Sequence, residues 1–201
     1  MTDAIDVVRR KLLAAAFRMP SVQTMVSRKS SITNAFVNAV VPTIPPTDAE
    51  IEEALKMLGM DAEHVCCAYC GDAFTEWDHL RPLVVNRRPT GFVSEIANLV
   101  PACGKCNQSK GNQPWKSWML GKAKGSPTGR KKVEGLPDRV SRLEKYEQWR
   151  APVRIDFESI LGRDTWEHYW SLCEKVNEEM KQCQAVADAL RARIATEIAR
   201  K

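Results

Sequence analysis

Two CxxC pairs, Cys67-x-x-Cys70 and Cys103-x-x-Cys106, are separated by 32 residues, positions 71–102. Paired cysteines at this spacing suit a tetrahedral zinc ion. Each pair wraps one side of the metal and four thiolates close the shell, so the ion is expected to be structural rather than catalytic. In a short module with few apolar positions, metal binding supplies much of the folding energy. The chain has seven cysteines, an odd number, which argues against a disulfide framework. Near the start, "AIDVVRRKLLAAAF" places an acid and two arginines where the apolar core of a leader belongs, so a cytoplasmic location is expected. Cys66 is an alternative to Cys67 as a ligand, although the two-residue spacing favours Cys67. Cys173 and Cys183 fall in a helical pattern and read as small core or interface residues.

Around the staple the chain reads as mostly helical. "TDAIDVVRRKLLAAAFRM" predicts a helix stopped by Pro20, and residues 21–41 predict another. "PTIPPT" reads as a linker. Thr47-x-x-Glu50 is a capping box that opens "DAEIEEALKML", which Gly59 ends. "LPDRVSRLEKYEQW" predicts a short helix capped by Asp138. A long helix opens at Asp164 and runs almost to the C-terminus. Trp166, Cys173, Met180, Ala187 and Ile194 recur every seven residues, with Tyr169, Val176, Cys183 and Leu190 three places after them. This heptad stripe either packs against the N-terminal helices or forms a dimer seam, and the weak Cys, Met and Ala positions favour packing.

Inside the cysteine module, "TEWDHL" and "IANLVPAC" have the alternation of short strands, joined by a loop-like basic segment. After Cys103, "GKCNQSKGNQPWKSWML" changes to helical spacing. Trp115 and Trp118 on it are expected to be buried anchors rather than base-stacking residues. The organisation is therefore an N-terminal helical region (1–65), a zinc-pinned module (66–120), and a basic loop with a C-terminal helical region (121–201).

Composition narrows the partners. Hydrophobic residues are 44% and charged residues 27% of the 201 residues, the balance of a soluble globular protein. No apolar run is long enough to span a membrane. The net charge is +5, a modest excess consistent with a polyanionic partner. "LRPLVVNRRPTG" and "GKAKGSPTGRKK" carry three and five Lys/Arg with no acid. Both read as loops from their Pro and Gly, and both lie beside the cysteine module.

Taken in order, Cys67-x-x-Cys70, Asp78-His79, Asn98-Leu99, Cys103-x-x-Cys106-Asn107 and Lys110 resemble the HNH nucleases, which share the ββα-metal fold. That family's pattern is CxxC, Asp-His on the first strand, a central Asn, then CxxC followed at once by His or Asn, with a Lys three residues later. Asn107 stands where many members have His. Phage junction-resolving nucleases of the family also have Asn there. The resemblance covers about a quarter of the chain and implies a small ββα-metal module; with the helices read from the flanking sequence, the expected fold is α+β, a mostly helical chain with a long C-terminal helix.

The residue types suit phosphodiester cleavage, which needs an attacking water, a base for its proton, and positive charge on the phosphate and leaving oxygen. His79 fits the base, since imidazole titrates near neutrality. Asp78 and Asn107 offer hard oxygen ligands for a catalytic Mg²⁺. In ideal strand geometry Asp78 and His79 point to opposite faces, so a bulge or twist must bring both to one site. The resemblance implies that Asn98 holds the loop that orients His79. Lys110, and more weakly Lys105, Arg81, Arg87 and Arg88, are candidate phosphate contacts. The expected protein is a Mg²⁺-dependent DNA endonuclease with a structural Zn²⁺, of restriction type, with pairing of two copies through the C-terminal helix as one option. The alternatives are a homing or nicking nuclease, a toxin-like HNH nuclease, and a non-catalytic zinc module that binds nucleic acid.

Overall fold

The computed structural model describes residues 2–17, 20–130 and 133–200. In chain order, helices α1 (Thr2–Ala16), α2 (Lys29–Val40) and α3 (Asp48–Met57) precede strands β1 (Glu76–His79), β2 (Val84–Val85), β3 (Arg88–Pro89) and β4 (Leu99–Ala102). Helices α4 (Gly104–Lys110), α5 (Trp115–Leu120), α6 (Pro127–Arg130), α7 (Leu136–Trp149), α8 (Phe157–Leu161) and α9 (Arg163–Ala199) follow. This is the mostly helical α+β chain expected, with small two-stranded sheets and a long C-terminal helix. No helix among the described residues is long and apolar enough to cross a membrane.

The chain divides into two compact units, Ser30–Val176 and the terminal segments Met1–Lys29 with Asn177–Lys201. The larger unit holds the cysteine module. There β1 pairs antiparallel with β4, with Asp78 opposite Val100 and His79 opposite Leu99. One core gathers around this sheet: Val100 and Leu80 from the sheet region, Trp115 and Trp118 from α5, Leu143 and Tyr146 from α7, and Leu58 after α3. The Tyr146 hydroxyl donates to the Leu99 carbonyl (2.8 Å) and ties α7 to the start of β4. A second core joins Val37 of α2, Leu83, Val93, Phe157, and Trp166, Trp170 and Cys173 from the first turns of α9. Trp166 stacks on Phe157 with ring centroids 4.7 Å apart.

In the terminal unit, the Met25 backbone N–H donates to Gln184 Oε1 (2.7 Å). Apolar residues on its helices stay exposed, among them Leu12, Leu190, Ile194 and Ile198. The heptad stripe thus has two fates. Trp166 and Cys173 fill the core of the larger unit with Tyr169 packed against it, whereas the later positions Leu190 and Ile194 are open.

Several local expectations change. The helix expected after Cys103 is two helices, because Gly111 takes a positive φ of 50° and Pro114 follows it. Helix α7 is capped by Gly135 in the left-handed region, with Pro137 in its first turn. Asp138 lies within that first turn and is not the cap. The basic segment between the strands contains the β2–β3 hairpin, turned by Asn86 and Arg87 at φ 52° and 64°. Both central residues at positive φ make a type I′ turn. The "PTIPPT" segment is anchored: Thr43 bridges to Ser94, and the Ile44 N–H donates to the Ser94 carbonyl (2.8 Å).

Candidate active site

Strand alternation sorts the reactive residues. Glu76 and Asp78 share one face of β1, while Trp77 and His79 share the other. Helix α4 lies over the Glu76–Asp78 face, and its Asn107 and Lys110, one turn apart, reach that face. Lys110 Nζ donates to Asp78 Oδ1 (3.1 Å), pairs with Oδ2 (3.0 Å), and donates to the His79 carbonyl (2.8 Å). The Tyr69 hydroxyl donates to Asp78 Oδ2 (2.5 Å). Asp78 is only 5% exposed. Burial pushes its carboxyl above the ordinary value, and the Lys110 ammonium and Tyr69 hydroxyl pull against that rise.

His79 closes the strand. Its Nε2 lies 2.8 Å from Ser94 Oγ. Burial, with Lys110 close by, lowers its pKa to about 4, so the ring is neutral at neutral pH. Asn98 is fully buried and binds the connecting segment at three points. Its Oδ1 accepts from the Arg81 N–H (2.8 Å), and its Nδ2 donates to the carbonyls of Arg81 (3.1 Å) and Val93 (3.2 Å). The opposed directions of Asp78 and His79 are reconciled at the end of the strand. Both side chains line one pocket of about 230 Å³ with Asn107, and Asn34 and Asn38 of α2 complete its polar wall.

The four paired cysteines form a second centre. Cys67, Cys70, Cys103 and Cys106 are buried, and their sulfurs lie within 4.8 Å of one another. A tetrahedron with metal–sulfur bonds of about 2.3 Å places its sulfurs about 3.8 Å apart. Cys70 Sγ and Cys103 Sγ are 3.7 Å apart, so that edge of the cluster matches a zinc-sized ion. Cys66 stands outside the cluster and bridges to Ala73. Arg130 donates to Cys106 Sγ (2.8 Å), where its charge offsets the surplus negative charge of a divalent ion held by four thiolates.

Residues 67–113 match the family model of the HNH endonucleases. This segment is an HNH endonuclease domain. Over 56 residues the chain is 45% identical to the CRISPR-associated endonuclease Cas9 of Corynebacterium diphtheriae. That stretch is 26% of this chain and 5% of the relative, so the chain spans a small fraction of the relative's length. No solved structure matches the chain. The HNH module contains the two cysteine pairs, Asp78, His79, Asn98 and Asn107, together with β1, β4 and α4.

The phosphate candidates separate. Lys110 is 1% exposed and its ammonium is spent on Asp78 and two carbonyls. In this structure its ammonium faces Asp78 and the His79 carbonyl rather than solvent. Arg81 pairs with Glu147 (3.3 Å) and lies over the Phe92 ring. Arg88 pairs with Glu167 (3.3 Å), and Arg87 lies 3.8 Å from Glu174. Lys105 on α4 is exposed. Trp115 and Trp118 are buried, in agreement with their reading as anchors.

Sequence reasoning missed Glu76, Ser94, Tyr69 and Arg130. Glu76 had a signal, since a residue two before Asp78 on a strand shares its face. Ser94 and Arg130 carried none, because their contacts depend on how distant loops return to the module.

Proposed function

We propose that this chain is a Mg²⁺-dependent DNA endonuclease of restriction type that hydrolyses phosphodiester bonds by a one-metal mechanism. The observation that carries the reading is the single pocket lined by Asp78, His79 and Asn107, on a segment matched to the HNH endonucleases. Asp78 and Asn107 would hold the Mg²⁺, which would supply positive charge at the phosphate and the leaving oxygen. His79 takes the proton of the attacking water, and its neutral state supports that role. Lys110 offsets part of the desolvation that raises the Asp78 carboxyl. Asn98 fixes the loop that follows His79. Lys105 is the open phosphate contact, Arg81, Arg87 and Arg88 would exchange their glutamate partners for phosphate, and the net charge of +5 suits a polyanion. Zn²⁺ on the four cysteines is structural.

The helical regions 1–65 and 121–201 serve DNA binding or pairing of two copies. The open apolar positions Leu190, Ile194 and Ile198 on α9 support pairing. A two-fold dimer brings two single-strand cutting centres to opposite strands. Incubation of the zinc-loaded protein and Mg²⁺ with a supercoiled plasmid of diverse sequence tests this reading. Discrete linear fragments are expected. Open circles indicate a monomeric nicking enzyme, a smear a toxin-like nuclease, and intact plasmid with Mg²⁺ or Mn²⁺ a non-catalytic binding module.

A further inference from the structure

Glu76 is absent from the wall of the reactive pocket, yet its carboxylate lies against a residue that forms that wall. Asn107 Nδ2 donates to Glu76 Oε2 (2.5 Å). A carboxylate has no proton to give at neutral pH, so the end of the amide that meets it is the NH₂ end. This contact fixes the flip of the Asn107 side chain. Its NH₂ group is turned to Glu76, and Oδ1 is left as the atom the amide offers to the pocket. Without such a partner an asparagine presents either end, and an NH₂ group repels a cation.

The carboxylate is itself confined. Glu76 sits on the same face of β1 as Asp78 and is half-buried under α4. At Gly104, in the first turn of α4, an added Cβ would lie 2.8 Å from Glu76 Oε1. Gly104 has no positive φ, so the missing side chain here gives room to the carboxylate rather than relieving the backbone. One Glu76 oxygen therefore faces Gly104 while the other holds Asn107.

We infer that Glu76 is a positioning residue that orients Asn107 for cation binding without itself touching the cation. This rests on the reading of Asp78 and Asn107 as the Mg²⁺ ligands. The test is Mn²⁺ binding to the zinc-loaded full chain without nucleic acid, measured by calorimetry on wild type, Glu76→Ala, Glu76→Gln and Asn107→Asp. Zinc content and melting temperature confirm that each variant is folded. Glu76→Ala is expected to weaken Mn²⁺ binding by about 10- to 100-fold, the range for loss of a residue that orients a ligand. Glu76→Gln keeps an acceptor for Nδ2 and is expected to stay near wild type. In an Asn107→Asp background there is no amide to orient, so adding Glu76→Ala is expected to cause no further loss.

Wild-type affinity in Glu76→Ala overturns the inference. So does a loss in Glu76→Gln as large as in Glu76→Ala, which makes the charge and not the acceptor the acting feature. An undiminished Glu76→Ala effect in the Asn107→Asp background also overturns it. If Glu76→Ala does not fold, Glu76→Gln and the Asn107→Asp pair decide. Wild type that binds no Mn²⁺ removes the metal-centre reading itself, and the inference with it.

Discussion

Ser94 Oγ lies 2.8 Å from His79 Nε2, and on the proposed reading Nδ1 is the nitrogen that meets the attacking water. The backbone of Ser94 is itself pinned: its carbonyl accepts from the Ile44 N–H, and its N–H donates to the Pro42 carbonyl (3.2 Å). A hydroxyl that orients the base acts on turnover more than on substrate binding. Ser94→Ala is therefore expected to lower kcat about tenfold with KM little changed, and Ser94→Thr to keep most of the activity. Steady-state kinetics check this, and a change confined to KM contradicts it. At this scale the sequence disclosed the residues whose chemistry is characteristic. Asp78-His79, Asn98 and Asn107 stand at fixed spacing from the cysteine pairs, and local order is enough to find them. Their supports are less legible. Tyr69 reaches Asp78 only once the first CxxC turn folds beside β1, and Ser94 meets His79 only through the path of the connecting loop. Lys110 was placed correctly one turn beyond Asn107, but spacing along a helix does not say which side chain the sheet will bury.

Local signals of helix α3 translate directly into structure. The Thr47 side chain accepts from the Glu50 N–H while Glu50 Oε2 accepts from the Thr47 N–H (2.8 Å), completing the capping box. Glu50 also pairs with Arg150. The Thr47 N–H, the Arg150 guanidinium and the Thr47 hydroxyl lower the Glu50 carboxyl from 4.5 to about 2. A carboxyl depressed in the folded state adds stability that is present above its ordinary value and lost as pH falls through the folded value. Melting temperature followed against pH is thus expected to show a Glu50 component lost between pH 4.5 and about 2. Glu50→Gln is expected to lack that component, and equal acid profiles for the two proteins contradict it.

Helix α4 would depend instead on a metal held by the four cysteines. Cys103 is its N-cap and Cys106 lies in its first turn, so α4 carries both ligands of the second pair. A structural zinc contributes about 10–16 kcal/mol, as much as the whole stability of an ordinary domain, about 5–15 kcal/mol. Removal of zinc by a chelator is expected to unfold the module. Trp115 and Trp118 share the core with the four cysteines, so their fluorescence should shift to that of exposed indole. A native spectrum after complete zinc loss contradicts this. The β2–β3 hairpin was the element least legible in the sequence. Its turn uses Asn86-Arg87 where a glycine would mark the type I′ geometry, and an arginine at φ 64° is an uncommon choice.

Across the whole molecule the motif signal is concentrated in one segment. The HNH match ends at residue 113, and beyond it only periodicity guides a reading. For α9 that periodicity was informative at the start, where Trp166 and Cys173 are buried, and ambiguous at the end, where Leu190 and Ile194 are 53% and 60% exposed. A heptad records that a helix has an apolar stripe and does not name what covers it. The basic balance of the chain acts at this scale too, because several module arginines are already paired with acids and net attraction to a polyanion is a sum over the surface.

The most direct test of the account compares wild type with His79→Ala on supercoiled plasmid DNA in Mg²⁺, with zinc content shown to be equal. Loss of a general base costs about 10²- to 10⁴-fold, so wild type is expected to cut while the variant leaves the plasmid intact over the same interval. Equal cutting by both proteins, or none by either with Mg²⁺ or Mn²⁺, contradicts a nuclease centred on His79.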